Sequence, residues 1–314
     1  MSPDPSISQD WLRPPFARLT GHETFAFRFA WLKKGIDQIQ NDPGVFHSED
    51  AVVRLGVGKN MVRSIRHWCL ATRVAEEVEG SRGLSLQVSE FGRKLLPENE
   101  WDPYLEDDAT LWLLHWNLAS AGTRATTSYW AFNRFREYTF DRDGMLKGLR
   151  RWLDVLGWEN FKDSTLSSDL DCFIHTYLAK GNGASNGDDS IECPLTTLGL
   201  LVEEPYVERG YRFCVGPKPT LPPEIFAYAL AEFWNSRGAE RRVLEFSEIM
   251  SGEGSPSLVF LLDWDSTVRY LDSLEQATNG ALRFEEDYEV RRVVKEDEAD
   301  INALAFLEAY YAAR

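Results

Sequence analysis

The chain has 314 residues, 43% hydrophobic and 13% aromatic, and carries a formal net charge of −16. This apolar content, with 11 tryptophans, can fill sizeable cores, so a disordered tail is excluded and two or three domains are expected. The acidic balance excludes a protein that coats nucleic acid over its whole surface.

Charge becomes informative once it is divided along the chain. Ala51–Leu95 carries eight Lys/Arg against four Glu, and Gly122–Trp152 seven against three acids, each a local +4. Any DNA footprint is therefore confined to those two segments. No run of about 18 apolar residues exists, and the N-terminus lacks a basic-then-apolar signal pattern, which predicts a cytoplasmic protein without a membrane span. Cys69, Cys172, Cys193 and Cys214 lie far apart with no CxxC pair, so free, mostly buried thiols are expected rather than a zinc module or a disulfide scaffold.

In chain order, residues 1–15 are polar and proline-containing and read as a flexible arm. Residues 16–97 read as a winged helix-turn-helix. A first helix begins near Phe29, a short helix runs from a Ser48 N-cap to Leu55, and the chain turns at Gly56-Val57-Gly58. A longer helix reaches Ala71, and two strands, Arg73–Val78 and Leu84–Val88, make the wing. In the longer helix Met61, Ile65, Trp68, Cys69 and Thr72 form a core stripe, leaving Lys59, Arg63, Arg66 and His67 on the other face around Asn60. That face suits a major groove, since Asn reads adenine, Arg reads guanine and Lys anchors phosphate. Arg73 and Arg82 of the wing join this set. The alternative is that these cations only solvate a surface helix.

Upstream, Gly21-His22-Glu23-Thr24-Phe25 is a polar cluster before an apolar run. His22 and Glu23 suit an acid/base or metal pair, while Glu23 or Thr24 equally suits a helix cap.

Three stretches, GHETFAFRFAWLKKG (Gly21–Gly35), LGVGKNMVRSIRHW (Leu55–Trp68) and IECPLTTLGLL (Ile191–Leu201), together resemble an SspB-like bacterial family found in Ssp-type DNA phosphorothioation systems. The resemblance runs from about Phe16 to the C-terminus, and none of the three stretches is a catalytic signature. It implies a role in antiphage defence as a DNA nickase that opens one strand for sulfur incorporation. It also implies double-stranded DNA as substrate and partners of three kinds: a cysteine desulfurase, an ATPase and an ATP-pyrophosphatase-like sulfurtransferase.

Residues 98–219 read as a helical middle domain entered through an acidic connector, Pro97–Asp108. Helices are expected over Ala109–Ser120, Ser128–Arg136 and Asp143–Gly157, with Arg134, Arg150 and Arg151 as further DNA-binding candidates. The interleaved aromatics could stack on unpaired bases, although such stripes are usually core. A helix over Ser164–Leu178 holds Asp169, Asp171 and His175. Asp171 and His175 share one face, and paired carboxylates with a histidine suit Mg²⁺ or Mn²⁺ in phosphodiester cleavage. The same residues suit a cap and a surface pair. Gly181–Asp189 reads as a connecting loop and Tyr206–Val215 as a hairpin.

Residues 220–314 repeat the winged-helix order: helices Pro222–Asn235 and Leu244–Met250, a helical stretch Ser257–Ala277 broken near Asp263, a wing, and a closing helix Ala299–Ala312. Between Leu244 and Asp300 five Lys/Arg stand against 15 Asp/Glu. Such a surface repels phosphate and suits protein docking or a homodimer contact. The expected fold class is mainly α with small β wings. The leading functional reading is a DNA-binding nickase using a divalent metal, and the alternative is a non-catalytic DNA-binding specificity or scaffold subunit.

Overall fold

The structure, a computed structural model, describes residues 18–120, 124–158, 161–179, 193–238, 240–287, 290–296 and 301–314. The expected arm at 1–15 and loop at 181–189 lie outside the described residues.

The protein is mainly α-helical with small antiparallel sheets. Helices α1 (Phe29–Asn41), α2 (Ala51–Leu55) and α3 (Lys59–Ala71) are followed by the hairpin strands β1 (Ala75–Glu77) and β2 (Leu86–Val88), then by α4 (Glu90–Leu95). The α2–α3 turn follows from its glycines: Gly56 closes α2 in the left-handed region (φ 62), and Gly58 opens α3 from an extended conformation. α2 starts later than the expected Ser48 cap. A 3-10 turn (Val45–His47) ends at Ser48, Asp50 takes the N-cap position of α2, and the Ser48 hydroxyl donates to the Asp50 carboxylate instead of capping the helix. Gly35 lets α1 lie on α3, because a side-chain carbon there would overlap Cys69 Sγ.

Next come α5 (Asp108–Ala119), α6 (Thr126–Asn133), β3 (Thr139–Asp141), α7 (Arg142–Val155), α8 (Asp163–Tyr177), a 3-10 turn (Pro194–Leu198), β4 (Leu201–Glu204) and β5 (Gly210–Phe213). The chain ends with α9 (Pro223–Arg237), β6 (Val243–Glu245), α10 (Phe246–Ser251), α11 (Pro256–Val259), α12 (Trp264–Asp272), α13 (Leu274–Ala277), β7 (Leu282–Glu286), β8 (Arg291–Lys295) and α14 (Ala303–Ala312). The expected break near Asp263 is real: its carboxylate accepts the Ser266 N–H at 2.9 Å as the N-cap of α12.

Two three-stranded sheets share one plan, β3-β5-β4 and β6-β8-β7. In each, a short strand runs directly into helices and later pairs with the second strand of a hairpin. The middle region thus carries the same arrangement as the C-terminal one, adding the strand β3 to the hairpin expected within a helical region.

α5 is the hub of the core. Every residue from Ala109 to Ala119 is buried, as a helix that is apolar on all sides must be. Most of its polar groups are satisfied inside, the Asn117 Oδ1 atom being the exception. His115 bonds the Tyr177 hydroxyl and the Val259 carbonyl, and Asn117 Nδ2 donates to the Thr72 carbonyl at 2.9 Å. Trp112, Trp116, Trp130 and Phe132 are buried in this core, so they are not available to stack on bases. Among the described residues no helix is long and apolar enough to cross a membrane.

Candidate functional site

The exposed cationic face is narrower than helical periodicity predicts. Lys59, Asn60 and Arg63 on the N-terminal half of α3 face solvent. Arg66 is half-buried; its Nη2 donates to the Gly83 carbonyl (2.7 Å) and to Glu77 (3.2 Å), tying α3 to the hairpin. His67 is only 7% exposed and cannot meet a groove; burial, then nearby His22 and arginines, hold its pKa well below the ordinary histidine value. The core stripe lies where expected, with Ile65, Trp68, Cys69 and Thr72 buried and Met61 at its edge.

The remaining arginine candidates divide into tethered and free. Arg73 pairs with Glu232 at 3.0 Å and donates to Ser120, fastening the hairpin base to α9 and the end of α5. Arg134 pairs with Glu253, which also accepts from the Tyr129 hydroxyl. Arg150 pairs with Asp163 and donates to the Phe161 carbonyl at 2.6 Å. Arg82, near the hairpin tip, and Arg151, on the outer side of α7, are exposed.

The two acid/base sets that the sequence kept apart are partly one cluster. His22 Nε2 lies 2.6 Å from Asp169 Oδ1, and both residues are buried. The Thr24 N–H donates to His22 Nδ1 at 3.1 Å, which leaves the imidazole proton on Nε2 to be donated to Asp169. The other Asp169 oxygen accepts from the Thr127 hydroxyl, and the Ser64 hydroxyl donates to the His22 carbonyl at 2.7 Å. The loop that makes these bonds is strained: Glu23 and Thr24 both sit in the left-handed region (φ 48 and 68), unusual above all for a β-branched residue. Glu23 turns outward to Arg63 at 3.3 Å. Neither Glu23 nor Thr24 caps α1, whose N-cap position is Arg28.

Asp171 does not join this cluster. It takes a two-pronged pair from Arg142, Nε at 2.6 Å and Nη2 at 2.8 Å, while His175 is exposed near the other end of α8. With Asp169 held by His22 and Thr127, and Asp171 by Arg142, the expected trio does not converge. Among the described residues no three His, Cys, Asp or Glu side chains are grouped to hold a metal ion. Beside the cluster lies a hollow of about 310 Å³, lined by Leu19, Gly21–Thr24, Ser164, Thr165, Ser168 and Asp169.

Sequence spacing gave no signal for the His22–Asp169 contact, because the two residues stand 147 positions apart. Nor did it reveal Arg142 as the partner of Asp171.

Over residues 19–311 the chain matches the family described as protein of unknown function, DUF4007. Two solved structures are similar to it, one described as a magnesium ion-bound SspB crystal structure and the other as an SspB crystal structure. Each is 29% identical with a TM-score of 0.84, covering 93% of this chain and 87% of the other. Comparison with curated proteins finds no match. The chain belongs to the DUF4007 family and is SspB-like in fold.

Proposed function

We propose that this chain is a DNA-binding component of an Ssp-type DNA phosphorothioation system, which engages duplex DNA through an N-terminal winged helix formed by residues 16–97. One observation carries the reading: Lys59, Asn60 and Arg63 open to solvent in the first turns of α3, directly after a glycine turn, on a chain whose net charge is −16. A cationic helix N-terminus left open on so acidic a chain favours phosphate and base contact over mere solvation. Arg82 extends the face from the hairpin, one residue before the Gly83 carbonyl that Arg66 holds. The middle region (98–219) and the C-terminal region (220–314) then act as the body and an acidic docking surface for the sulfur-transfer partners or a second copy. The reading is tested by fluorescence anisotropy on labelled duplex DNA with the wild type and a Lys59→Gln/Arg63→Gln variant. Equal affinity in the two proteins refutes it.

The second reading is strand nicking, as the resemblance implies. It is supported by the hollow of about 310 Å³ between the Leu19–Thr24 loop and α8, whose wall carries the Glu23 and Asp169 carboxylates, Glu23 pairing with Arg63 of the cationic face. Supercoiled plasmid with the purified protein in Mg²⁺, Mn²⁺ or EDTA decides it. Metal-dependent nicking makes the protein an endonuclease. Binding without nicking under any condition leaves it a specificity or scaffold subunit.

A further inference from the structure

Behind the exposed face of α3 two guanidinium groups share one carboxylate, and a third lines a crevice with one of them. Arg66 Nη2 and Arg124 Nη2 both reach Glu77 Oε1, at 3.2 and 2.9 Å. Arg18 stands close enough to act electrostatically on Arg124 and His67, and its guanidinium has no partner among the described residues. Three positive charges thus stand near Glu77 and near Asp169, which His22 and Thr127 already hold, and His67 among them is held neutral by burial first and by His22 and the arginines after it. Burial also pulls the Arg124 pKa below its ordinary value, with Glu77 opposing and Arg18 adding to the fall.

Such crowding is costly unless an anion compensates it. A second observation points the same way: Arg66 Nε is buried and has no acceptor. An orphaned buried N–H in an otherwise well-bonded protein marks a place where an oxygen belongs. The crevice at the feet of Arg18, His67 and Arg124, whose inner wall carries the Asp169 carboxylate held by His22, is about 20 Å³, room for one water-sized atom. A tetrahedral oxyanion would rest at its mouth, not inside it.

We propose that Arg18, Arg66 and Arg124 form an oxyanion site of phosphate type at the seam between α3 and α6, and that a backbone phosphate of bound DNA fills it. The assignment to DNA rests on the DNA-binding reading above; the site itself does not. Guanidinium groups suit this ligand, since their planar N–H pairs match phosphate oxygens. Arg66 lies three residues after Arg63 on the same helix and keeps 18% of its side chain exposed, so a strand crossing Lys59 and Arg63 passes beside the cluster. Arg18 precedes the helix-turn-helix and Arg124 belongs to the middle region, and the site would thereby join the middle region to the DNA footprint.

The test uses the full chain, labelled duplex DNA, inorganic pyrophosphate, and two variants. Arg18→Gln removes an exposed cation whose guanidinium has no partner among the described residues, and it keeps the backbone bond from the residue 18 N–H to Thr126. Arg124→Gln also breaks the Glu77 pair, so its thermal melt is recorded alongside. If DNA fills the site, the log–log salt slope of DNA affinity becomes shallower by about 0.9 in each variant. If that slope is unchanged but pyrophosphate binding weakens several-fold in Arg18→Gln, the site stands and its occupant is a free oxyanion. If neither DNA slope nor pyrophosphate binding differs from wild type in Arg18→Gln, the site is overturned. Should the wild type bind no DNA at all, the functional reading fails, and the pyrophosphate comparison alone still decides the site.

Discussion

Asp169→Ala should detach the N-terminal loop from α8. The carboxylate accepts from two buried donors, His22 Nε2–H at 2.6 Å and the Thr127 hydroxyl, and both it and His22 are under 10% exposed. Deleting it orphans both donors, each at a cost of about 1–3 kcal/mol, partly offset because a buried charge is no longer desolvated. A net loss of about 3 kcal/mol is expected from chemical denaturation followed by tryptophan fluorescence. Asp169→Asn keeps one acceptor for His22, and the Thr127 hydroxyl can rotate to accept from the new amide, so its loss should be about 1 kcal/mol. Hydrogen exchange localises the effect: amides of Gly21–Phe25 should lose protection in the alanine variant, because the strained Glu23 and Thr24 conformations persist only while His22 is anchored. A stability change below about 1 kcal/mol in the alanine variant, or equal effects of Ala and Asn, would refute the view that this pair fixes the loop.

Three further outcomes follow from other parts of the structure. Burial lowers the His115 pKa from 6.5 to about 4, against the pull of its bond to the Val259 carbonyl. The folded state thus resists protonation, and its stability advantage, full above pH 6.5, is lost as pH falls toward 4. Between pH 7 and 4.5 His115→Gln should lose about 2–3 kcal/mol less stability than wild type, and parallel pH profiles would contradict this. Gly35→Ala should destabilise by about 1–3 kcal/mol by thermal or denaturant unfolding, since the new methyl overlaps Cys69 Sγ where α1 lies on α3. Of the four thiols, Cys69, Cys172 and Cys193 are buried with pKa values pushed up by that burial, whereas Cys214 is partly exposed. An aromatic disulfide reagent should therefore titrate one thiol quickly in the native protein and all four in denaturant.

Local signals in the sequence carried much of the helical architecture. Gly56 and Gly58 marked the α2–α3 turn, and the apolar stripe through Ile65 and Cys69 placed α3 within a residue of its true ends. What escaped was short or distant. β3 and β6 are three residues each, too brief for alternation to show, and they become strands only by pairing with β5 and β8. The expected hairpin at Tyr206–Val215 is shifted, because β4 begins at Leu201 and the turn falls before Gly210. Within the candidate site, helical periodicity put Arg66 and His67 on the open face, but contact with the GHET loop and the hairpin covers them. The partners of Asp169, Asp171 and Arg73 come from elements 29 to 159 residues away, and no periodicity reports such contacts.

The central claim is that the first turns of α3 bind DNA, and it is tested most directly by the salt dependence of duplex affinity. With Lys59, Arg63 and Arg82 on phosphate, log affinity should fall with log salt at a slope of about −3 or steeper, and the Lys59→Gln/Arg63→Gln variant should be shallower by about 2. An unchanged slope in that variant, with its fold intact, would remove α3 from the footprint and contradict the account.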